Sequence, residues 1–481
     1  MSNNFLSLLM VFLVVLGING CGAKSGASNN SIDKSEHAKI EVTANGYSGG
    51  NAYLIGWFAG QQYFIDSSKV DGSGHMVFER DSIYQQGIAF VMLPDKNYFP
   101  FLLSEDQEFE LTTEKGDLQG KMVVSGSMDN ELYYKNDRFE KEHQRKINEV
   151  TTQLKSKTET DPEYDQLLKE QNKLIAARKA YLDEIFTAYP NSFFTAFKQA
   201  GQNPDVVDFR TKEGHLDTLK QVYTYRTQFW DNVDLKDERL LYTPVISNKL
   251  SKYMTELTAQ NPDSIIYAAD FLVKKVLDQE EYYKYFVNWI TLNYEPEKST
   301  VMDADAIYVH MVKNYFTKER AFWSTEFEIE HLQRKASEMS ASLVGLKGPD
   351  VQAKDLNGNL RAISDIKSDY VIVFMYSPSC EHCIAESPQM VTFYKEWKNK
   401  GVEVFGIGVE TDQAEWEKFV KDYGLDIFTN VYDPTNKAIY KKYYVDITPE
   451  IYVLNKDRII IGKNLDVSQI PEIINRDKKK K

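Results

Sequence analysis

Cysteine is almost missing from this sequence: three occur in 481 residues, at positions 21, 380 and 383. No framework of structural disulfides can be built from them, so the chain must be held together by apolar cores. Long apolar runs are equally scarce. Residues 5–18, FLSLLMVFLVVLGI, form the only one, and it falls short of the roughly 20 residues that span a bilayer as a helix. Positive charge is in deficit, with 57 Lys and Arg against 71 Asp and Glu and a formal balance of −14. An acidic surface repels phosphate backbones, so no nucleic acid partner is expected, and the one basic cluster, Lys478–Lys481, reads as a solvated tail. Histidine is thin as well. His37, His75, His143, His215, His310 and His331 stand singly, and two cysteines with His382 in one turn cannot wrap an ion tetrahedrally. Neither a metal site nor a cofactor is expected.

What is present begins with that apolar run, which has the length of a signal-peptide core and ends at Ile18-Asn19-Gly20-Cys21. The tetrapeptide resembles the bacterial lipobox. That resemblance implies that residues 1–20 are a lipoprotein signal peptide, that Cys21 is acylated, and that the Gly-, Ser- and Asn-rich residues 21–37 are a tether. No Lys or Arg precedes Phe5, and a buried N-terminal helix is the plainer alternative. If Cys21 carries lipid, the mature chain keeps two thiols, both in one C-x-x-C. Cysteine used so sparingly, yet paired at that spacing, points to redox work rather than stapling.

A chain of this length suggests about three folded units. Residues 38–127 alternate with period two in Lys39–Ala44, His75–Arg80 and Glu108–Thr112, with turn signals at Asn45-Gly46, Ser48-Gly49-Gly50, Asp71-Gly72-Ser73-Gly74 and Lys115-Gly116-Asp117. The expectation is an all-β sandwich or barrel. Residues 128–340 turn helical. Phe139, Ile147, Val150 and Leu154 share one face, and a second stripe runs from Tyr164 to Phe186, with Asp161-Pro162 between them as a helix start, so a helical hairpin is expected. Trp230, Tyr242, Tyr253, Tyr282, Tyr283, Tyr285, Trp289 and Trp323 fall at helical spacings, where core packing is the commoner role than a binding groove. Residues 341–481 alternate strands and helices. Val371–Met375 is a nearly continuous apolar run suited to a central strand covered on both faces, followed by strands at Val402–Val409, Ile451–Leu454 and Ile459–Ile461 and an amphipathic helix at Asp412–Tyr423.

The chemistry lies after the first of these strands, where Cys380-Glu381-His382-Cys383 opens a helix. At spacing i, i+3 the two sulfurs share one helical face, close enough to form a disulfide. Cys380 sits at the helix N-terminus, where unpaired N–H groups and the positive end of the dipole favour thiolate. Cys380 is therefore the expected nucleophile and Cys383 the resolving thiol, with exchange running through a mixed disulfide.

Strand, C-x-x-C, helix, two more strands and then Asp446-Ile447-Thr448-Pro449 directly before a strand resemble the thioredoxin-fold superfamily, and so imply a C-terminal α/β thioredoxin-like fold in which Pro449 is cis and lies, with Thr448, opposite the cysteine pair as a substrate-binding loop. Gly348-Pro349-Asp350-Val351, the turn Asp355-Leu356-Asn357-Gly358 and Cys383-Ile384-Ala385-Glu386-Ser387-Pro388 resemble the TlpA/ResA-like group of extracytoplasmic thiol:disulfide oxidoreductases, with Pro388 expected to kink the helix. The buried Asp that ordinary thioredoxins place six residues before the first cysteine is Phe374 here, so Glu386 becomes the candidate for moving the Cys383 proton; a solvated helix carboxylate is its plain alternative. His382 stands where disulfide isomerase and DsbA-type oxidants have histidine, which implies a stabilised thiolate and a potential above the roughly −270 mV of thioredoxin. The β and helical segments resemble modules found ahead of thioredoxin-like domains in Gram-negative lipoproteins. This implies a lipid-anchored protein of the Gram-negative cell envelope facing the periplasm, whose partners are exported cysteine-containing proteins and a membrane redox partner.

Two other readings stand beside this one. Peroxiredoxins share the fold and opening motif, but their Pro-x-x-x-Thr/Ser-x-x-Cys has Val373 at the proline position, and C-x-x-C favours dithiol exchange. Alternatively residues 38–340 capture a ligand or partner and the redox domain of a scaffold lipoprotein is auxiliary.

Overall fold

The computed structural model describes residues 37–296, 298–434, 439, 442–445 and 447–479. The signal segment, the acylation candidate Cys21 and most of the tether lie outside the described residues.

The N-terminal segment is a sandwich. Strands β1 (Ala38–Asn45), β2 (Asn51–Phe58), β3 (Gln61–Lys69), β4 (His75–Arg80), β5 (Gly87–Met92), β6 (Tyr98–Leu103), β7 (Glu108–Glu114) and β8 (Val123–Ser125) form two four-stranded sheets, in the orders β4-β1-β7-β8 and β3-β2-β5-β6. The period-two pattern of β1 buries Ala38, Ile40, Val42 and Ala44 against Leu54, Val91, Phe99 and Phe101 of the facing sheet. Gly74 is obligatory at its turn: its φ is +84°, and a Cβ there would lie 2.2 Å from the Ala44 carbonyl oxygen.

Helix α1 (Met128–Lys155) follows at once, its N-terminus capped by the Ser127 side chain. Asn130, fully buried in its first turn, accepts from Leu102 N–H at 2.7 Å and donates to the Leu102 carbonyl at 2.9 Å, which seals the edge strand β6. With α2 (Tyr164–Ala188) it makes the expected hairpin, pinned by Phe139 stacked on Tyr181 at 3.7 Å and by a bidentate Arg178–Glu140 pair. One expectation fails here. Asp161 does not cap α2: its carboxylate turns back to accept from Thr158 N–H and Oγ1, the helix begins at Tyr164, and its N-cap Glu163 makes no side-chain bond.

The rest of the middle segment is α3 (Phe193–Ala200), α4 (Thr218–Gln228), α5 (Pro244–Thr255), α6 (Pro262–Lys275), α7 (Glu280–Asn293), α8 (Ala304–Tyr315) and α9 (Glu326–Met339). The aromatics at helical spacing are core: Trp230, Tyr253, Tyr282 and Tyr283 are buried, and Tyr242, Tyr285, Trp289 and Trp323 pack against them.

The C-terminal segment carries a seven-stranded mixed sheet in the order β10-β9-β13-β12-β11-β14-β15, from β9 (Gln352–Asp355), β10 (Leu360–Ala362), β11 (Tyr370–Tyr376), β12 (Val402–Gly408), β13 (Thr429–Tyr432), β14 (Glu450–Leu454) and β15 (Ile460–Gly462). Strands β11, β12 and β13 are parallel, and β14 runs antiparallel to β11. Every residue of β11 is buried, as its apolar run requires. Tyr370, Ile372, Phe374 and Tyr376 face one core, which contains residues of α10 (Glu381–Trp397), α11 (Gln413–Asp422) and α12 (Ile470–Lys479); Val371, Val373 and Met375 face the other. The Asp355–Gly358 turn joins β9 to β10, with Asp355 Oδ1 accepting from the Asn357 and Asn359 N–H groups.

Burial assigns stability. Phe286 is fully buried in the helical core, in contact with Trp230 at 5.5 Å between ring centroids, so Phe286→Ala should cost about 3–5 kcal/mol in denaturant unfolding. Tyr223, 68% exposed on α4, should tolerate alanine within about 0.5 kcal/mol.

Candidate active site at the N-terminus of α10

Strand β11 delivers the chain to the site and Ser377–Ser379 turn it into α10. The N-cap of that helix is Cys380, in extended backbone, and its sulfur accepts from Cys383 N–H at 3.4 Å. A sulfur thus does what a serine or aspartate oxygen does at other helix starts: it satisfies a donor that has no partner inside the helix. Cys383, at the third helical position, is fully buried, and its sulfur accepts from Ser377 N–H at 3.4 Å. Both thiols are free.

The two sulfurs ionise very differently. At Cys380 burial works against the charge, but it is outweighed by hydrogen bonds from the Cys383 thiol, the Cys383 N–H, the Thr448 side chain and the His382 backbone, which leave this thiol below its ordinary value. At Cys383 burial dominates, and although the Ser377 N–H opposes it, the thiol is pushed up to about 12. One sulfur is poised to attack while the other keeps its proton.

Opposite Cys380 lies the loop before β14. The Thr448–Pro449 peptide is cis, and the Cys380 thiol donates to the Thr448 carbonyl at 3.1 Å. Ile384 and Ile447, which adjoin Cys383 and Thr448 in sequence, are exposed.

The other candidates are arranged less simply. His382 is exposed, and the contribution the structure gives it toward Cys380 comes from its backbone. Glu386 is half-buried; its Oε2 accepts from Val467 N–H at 3.1 Å and its Oε1 from Gln389 Nε2 at 3.1 Å. It thereby ties α10 to the turn before α12, and each oxygen keeps a second lone pair for a proton. Pro388 lies inside α10, where it can donate no backbone hydrogen bond, and the neighbouring Ser387 hydroxyl donates to the Cys383 carbonyl at 2.7 Å. Val373, at the peroxidase proline position, is buried in mid-strand.

Residues that motif reading passes over support the strand beneath the pair. Tyr376 is fully buried, receives a bond from Trp416 Nε1 at 3.0 Å and donates to Asn430 Oδ1 at 2.9 Å. Trp416 packs so close to β12 that a Cβ on Gly408 would fall 2.4 Å from its ring. Ser377, which holds the Cys383 sulfur, is missed for a different reason: its contribution is a backbone N–H, which leaves no mark on residue type. Among the described residues no group of three or more His, Cys, Asp or Glu is disposed to hold a metal ion.

The chain is similar to several known proteins. Residues 344–463 match the AhpC/TSA family, and residues 38–133 match a domain of unknown function, DUF4369. The chain is 29% identical over 117 residues to the thiol-disulfide oxidoreductase ResA of Bacillus subtilis, covering 24% of this chain and 64% of that protein. It is 28% identical over 120 residues to ResA of Bacillus cereus, covering 25% and 68%. Among solved structures, a domain of a possible thiol-disulfide isomerase from Cytophaga hutchinsonii is 29% identical, covers 29% of this chain and 95% of its own, and gives a TM-score of 0.28. A thioredoxin-like protein from Bacteroides caccae is 14% identical, covers 57% of this chain and 99% of its own, and gives 0.47.

The unequal thiols set an expected titration. A thiol lowered below its ordinary value is thiolate at lower pH than free cysteine, so at neutral pH iodoacetamide should label Cys380 faster than it labels glutathione. Cys383 should stay unlabelled until strongly alkaline pH or unfolding. Peptide mass spectrometry of the alkylated chain reads both, and equal labelling of the two sites would contradict the asymmetry.

Proposed function

We propose that this chain, whose residues 344–463 form a thioredoxin-fold domain of the AhpC/TSA kind, is a thiol:disulfide oxidoreductase acting on exported proteins through Cys380 and Cys383. The observation that carries the reading is the pair itself: an activated sulfur capping a helix, with a buried protonated sulfur one turn behind it.

The chemistry follows from that order. The Cys380 thiolate attacks one sulfur of a client disulfide; the client S–S bond breaks, a mixed disulfide forms, and the other client sulfur leaves as a thiolate that takes up a proton. Cys383 then loses its proton and attacks the Cys380 sulfur. The mixed disulfide breaks, the Cys380–Cys383 disulfide forms, and the second client sulfur departs. The client has gained two electrons and two protons; the pair has given up the two electrons and the Cys383 proton, and the second proton is the one Cys380 released to solvent on ionising; run backwards, the same steps oxidise a client. Glu386 is the proton acceptor in this scheme, being the carboxylate one turn along α10 from Cys383. The Thr448–Pro449 loop receives the extended client segment opposite Cys380, where the Thr448 carbonyl offers a main-chain acceptor.

The cellular setting in this proposal is a lipid anchor at Cys21 that holds the protein to a membrane of the Gram-negative envelope, facing the periplasm, with a membrane redox partner resetting the pair. Its support is the fourteen-residue apolar run ending three residues before Cys21 and the polar stretch that follows. Among the described residues no helix is long and apolar enough to cross a membrane.

Cys380→Ser should abolish reduction of insulin by the full chain in dithiothreitol. Cys383→Ser should retain attack but trap clients as covalent adducts that run high on non-reducing gels and dissolve in reductant. A wild-type chain that exchanges no disulfides, or a Cys380→Ser chain as active as the parent, sinks the assignment. Cys21→Ser should move the protein from the membrane to the soluble fraction; an unchanged membrane fraction removes the anchor from the proposal.

A further inference from the structure

Where the helical segment meets the C-terminal sheet lies a buried ionic group that the exchange chemistry does not use. Lys463, just past β15, is 1% exposed, and its Nζ lies 3.0 Å from Oδ2 of Asp305, itself buried in the first turn of α8. Asn464 Nδ2 donates to the same oxygen at 3.0 Å. Asp303, the N-cap of α8, accepts from Val344 N–H at 3.0 Å, and burial raises its carboxyl to about 7 while Lys463 opposes the rise. The Lys463 ammonium also stands over the ring of Tyr452, 5.2 Å from its centroid.

Tyr452 carries the contact onward. It is fully buried in β14, and its hydroxyl donates to the carboxylate of Glu450. Ser342, in the turn that leads from α9 into the C-terminal segment, places its hydroxyl 3.4 Å from that of Tyr452 and donates to the Tyr443 carbonyl at 2.8 Å. Glu450 is the residue immediately after Pro449, and it pairs across the sheet with Met375, one residue before the end of β11. A continuous line of contacts thus runs from α8 to the loop whose Thr448 meets Cys380.

We propose that Glu450, Tyr452 and Lys463 are positioning residues that fix the Thr448–Pro449 loop against Cys380, and that the helical segment holds them through Asp305 and through Ser342 of the turn that follows α9. The physical reason is the cost of burial. A lysine with 1% exposure keeps its charge only beside a carboxylate, and that carboxylate comes from another segment 158 residues away, so one docking arrangement satisfies the pair and a shifted one leaves a bare charge in the interior. The start of β14 therefore has its geometry set from outside its own sheet.

This role rests on the exchange reading above, and the test separates the two. In the full chain, Tyr452→Phe keeps the ring beneath Lys463 and removes only the hydroxyl; Ser342→Ala and Asp305→Asn cut the line from the helical side. A loosened loop disturbs the contacts that Thr448 makes with Cys380. The apparent thiol pKa should then shift, and the neutral-pH alkylation rate should change roughly threefold or more in Tyr452→Phe, the equivalent of about half a pKa unit. Ser342→Ala and Asp305→Asn should move the profile the same way. Phe286→Ala, which loosens the helical core away from this line, should lower the melting temperature and leave the profile in place. Variants that melt earlier but alkylate along the parental curve overturn the positioning role; Ser342→Ala, the smallest change, decides the matter if another variant fails to fold. A parent whose Cys380 alkylates like free cysteine overturns the exchange reading instead.

Discussion

The N–H groups left over at the start of α10 are the constraint on which the site depends. Every helix begins with donors that have no acceptor one turn back, and most helices among the described residues satisfy one with an oxygen, as Ser127, Ser192, Asn261 and Thr325 do. At α10 the acceptor is sulfur. An oxygen in that position is inert, whereas a sulfur that accepts such a bond has its thiolate stabilised, and the cap becomes a nucleophile. The cap also fixes the relation of the two cysteines: the N–H that Cys380 accepts belongs to Cys383, so the bond that activates one sulfur holds the backbone of the other.

The asymmetry between the sulfurs follows from where the helix starts relative to the sheet. One residue of cap conformation leaves Cys380 half-buried at the rim of the core, and three residues of helix carry Cys383 into the core shared by β11, α10 and α11. Burial there disfavours its charge, and the Ser377 N–H at the end of β11 only partly offsets that. The fold need not supply a separate base to hold the pair apart in reactivity. A strand buried on both faces provides the rigid edge, and the Trp416–Tyr376–Asn430 bonds immobilise its last turn-facing residue.

Much of this is readable along the chain because it is local. Period-two alternation found β1, β4 and β7; the apolar runs found β11, β12 and β14; and C-x-x-C followed by a helical pattern located the cap. Strands β2, β3, β5 and β6 escaped because their signals were diluted. Tyr63 and Phe64 of β3 are exposed where alternation would bury one, and β6 reads Tyr-Phe-Pro-Phe-Leu-Leu, five of whose six residues are buried. The start of α2 is not legible from Asp161-Pro162 because the Asp161 carboxylate bonds to Thr158 upstream of it instead of to a helix donor. The supports of the site, Ser377 N–H and the Tyr376 hydroxyl, carry no signature, because a backbone group or a buried tyrosine looks the same wherever it occurs.

Non-local charge was the least legible feature. Nothing in the residue pattern links Asp305 to Lys463, since in sequence each reads as an ordinary surface charge although both are buried. Buried ion pairs contribute little net stability, because desolvating both partners offsets most of their attraction, and an apolar pair of equal volume commonly does as well. What such a pair supplies is discrimination among arrangements: the correct docking is compensated and a shifted one is not. Oily contacts alone, such as Met302 against the C-terminal core, tolerate small sliding because hydrophobic burial has no direction. An ion pair does not tolerate it. Since the pair lies beside Tyr452, two residues past Glu450 and three past Pro449, a slide between the segments would be felt first at the loop facing Cys380. The middle segment is therefore coupled to the site by geometry, even though the hydrogen bonds described at the two sulfurs all come from the C-terminal segment.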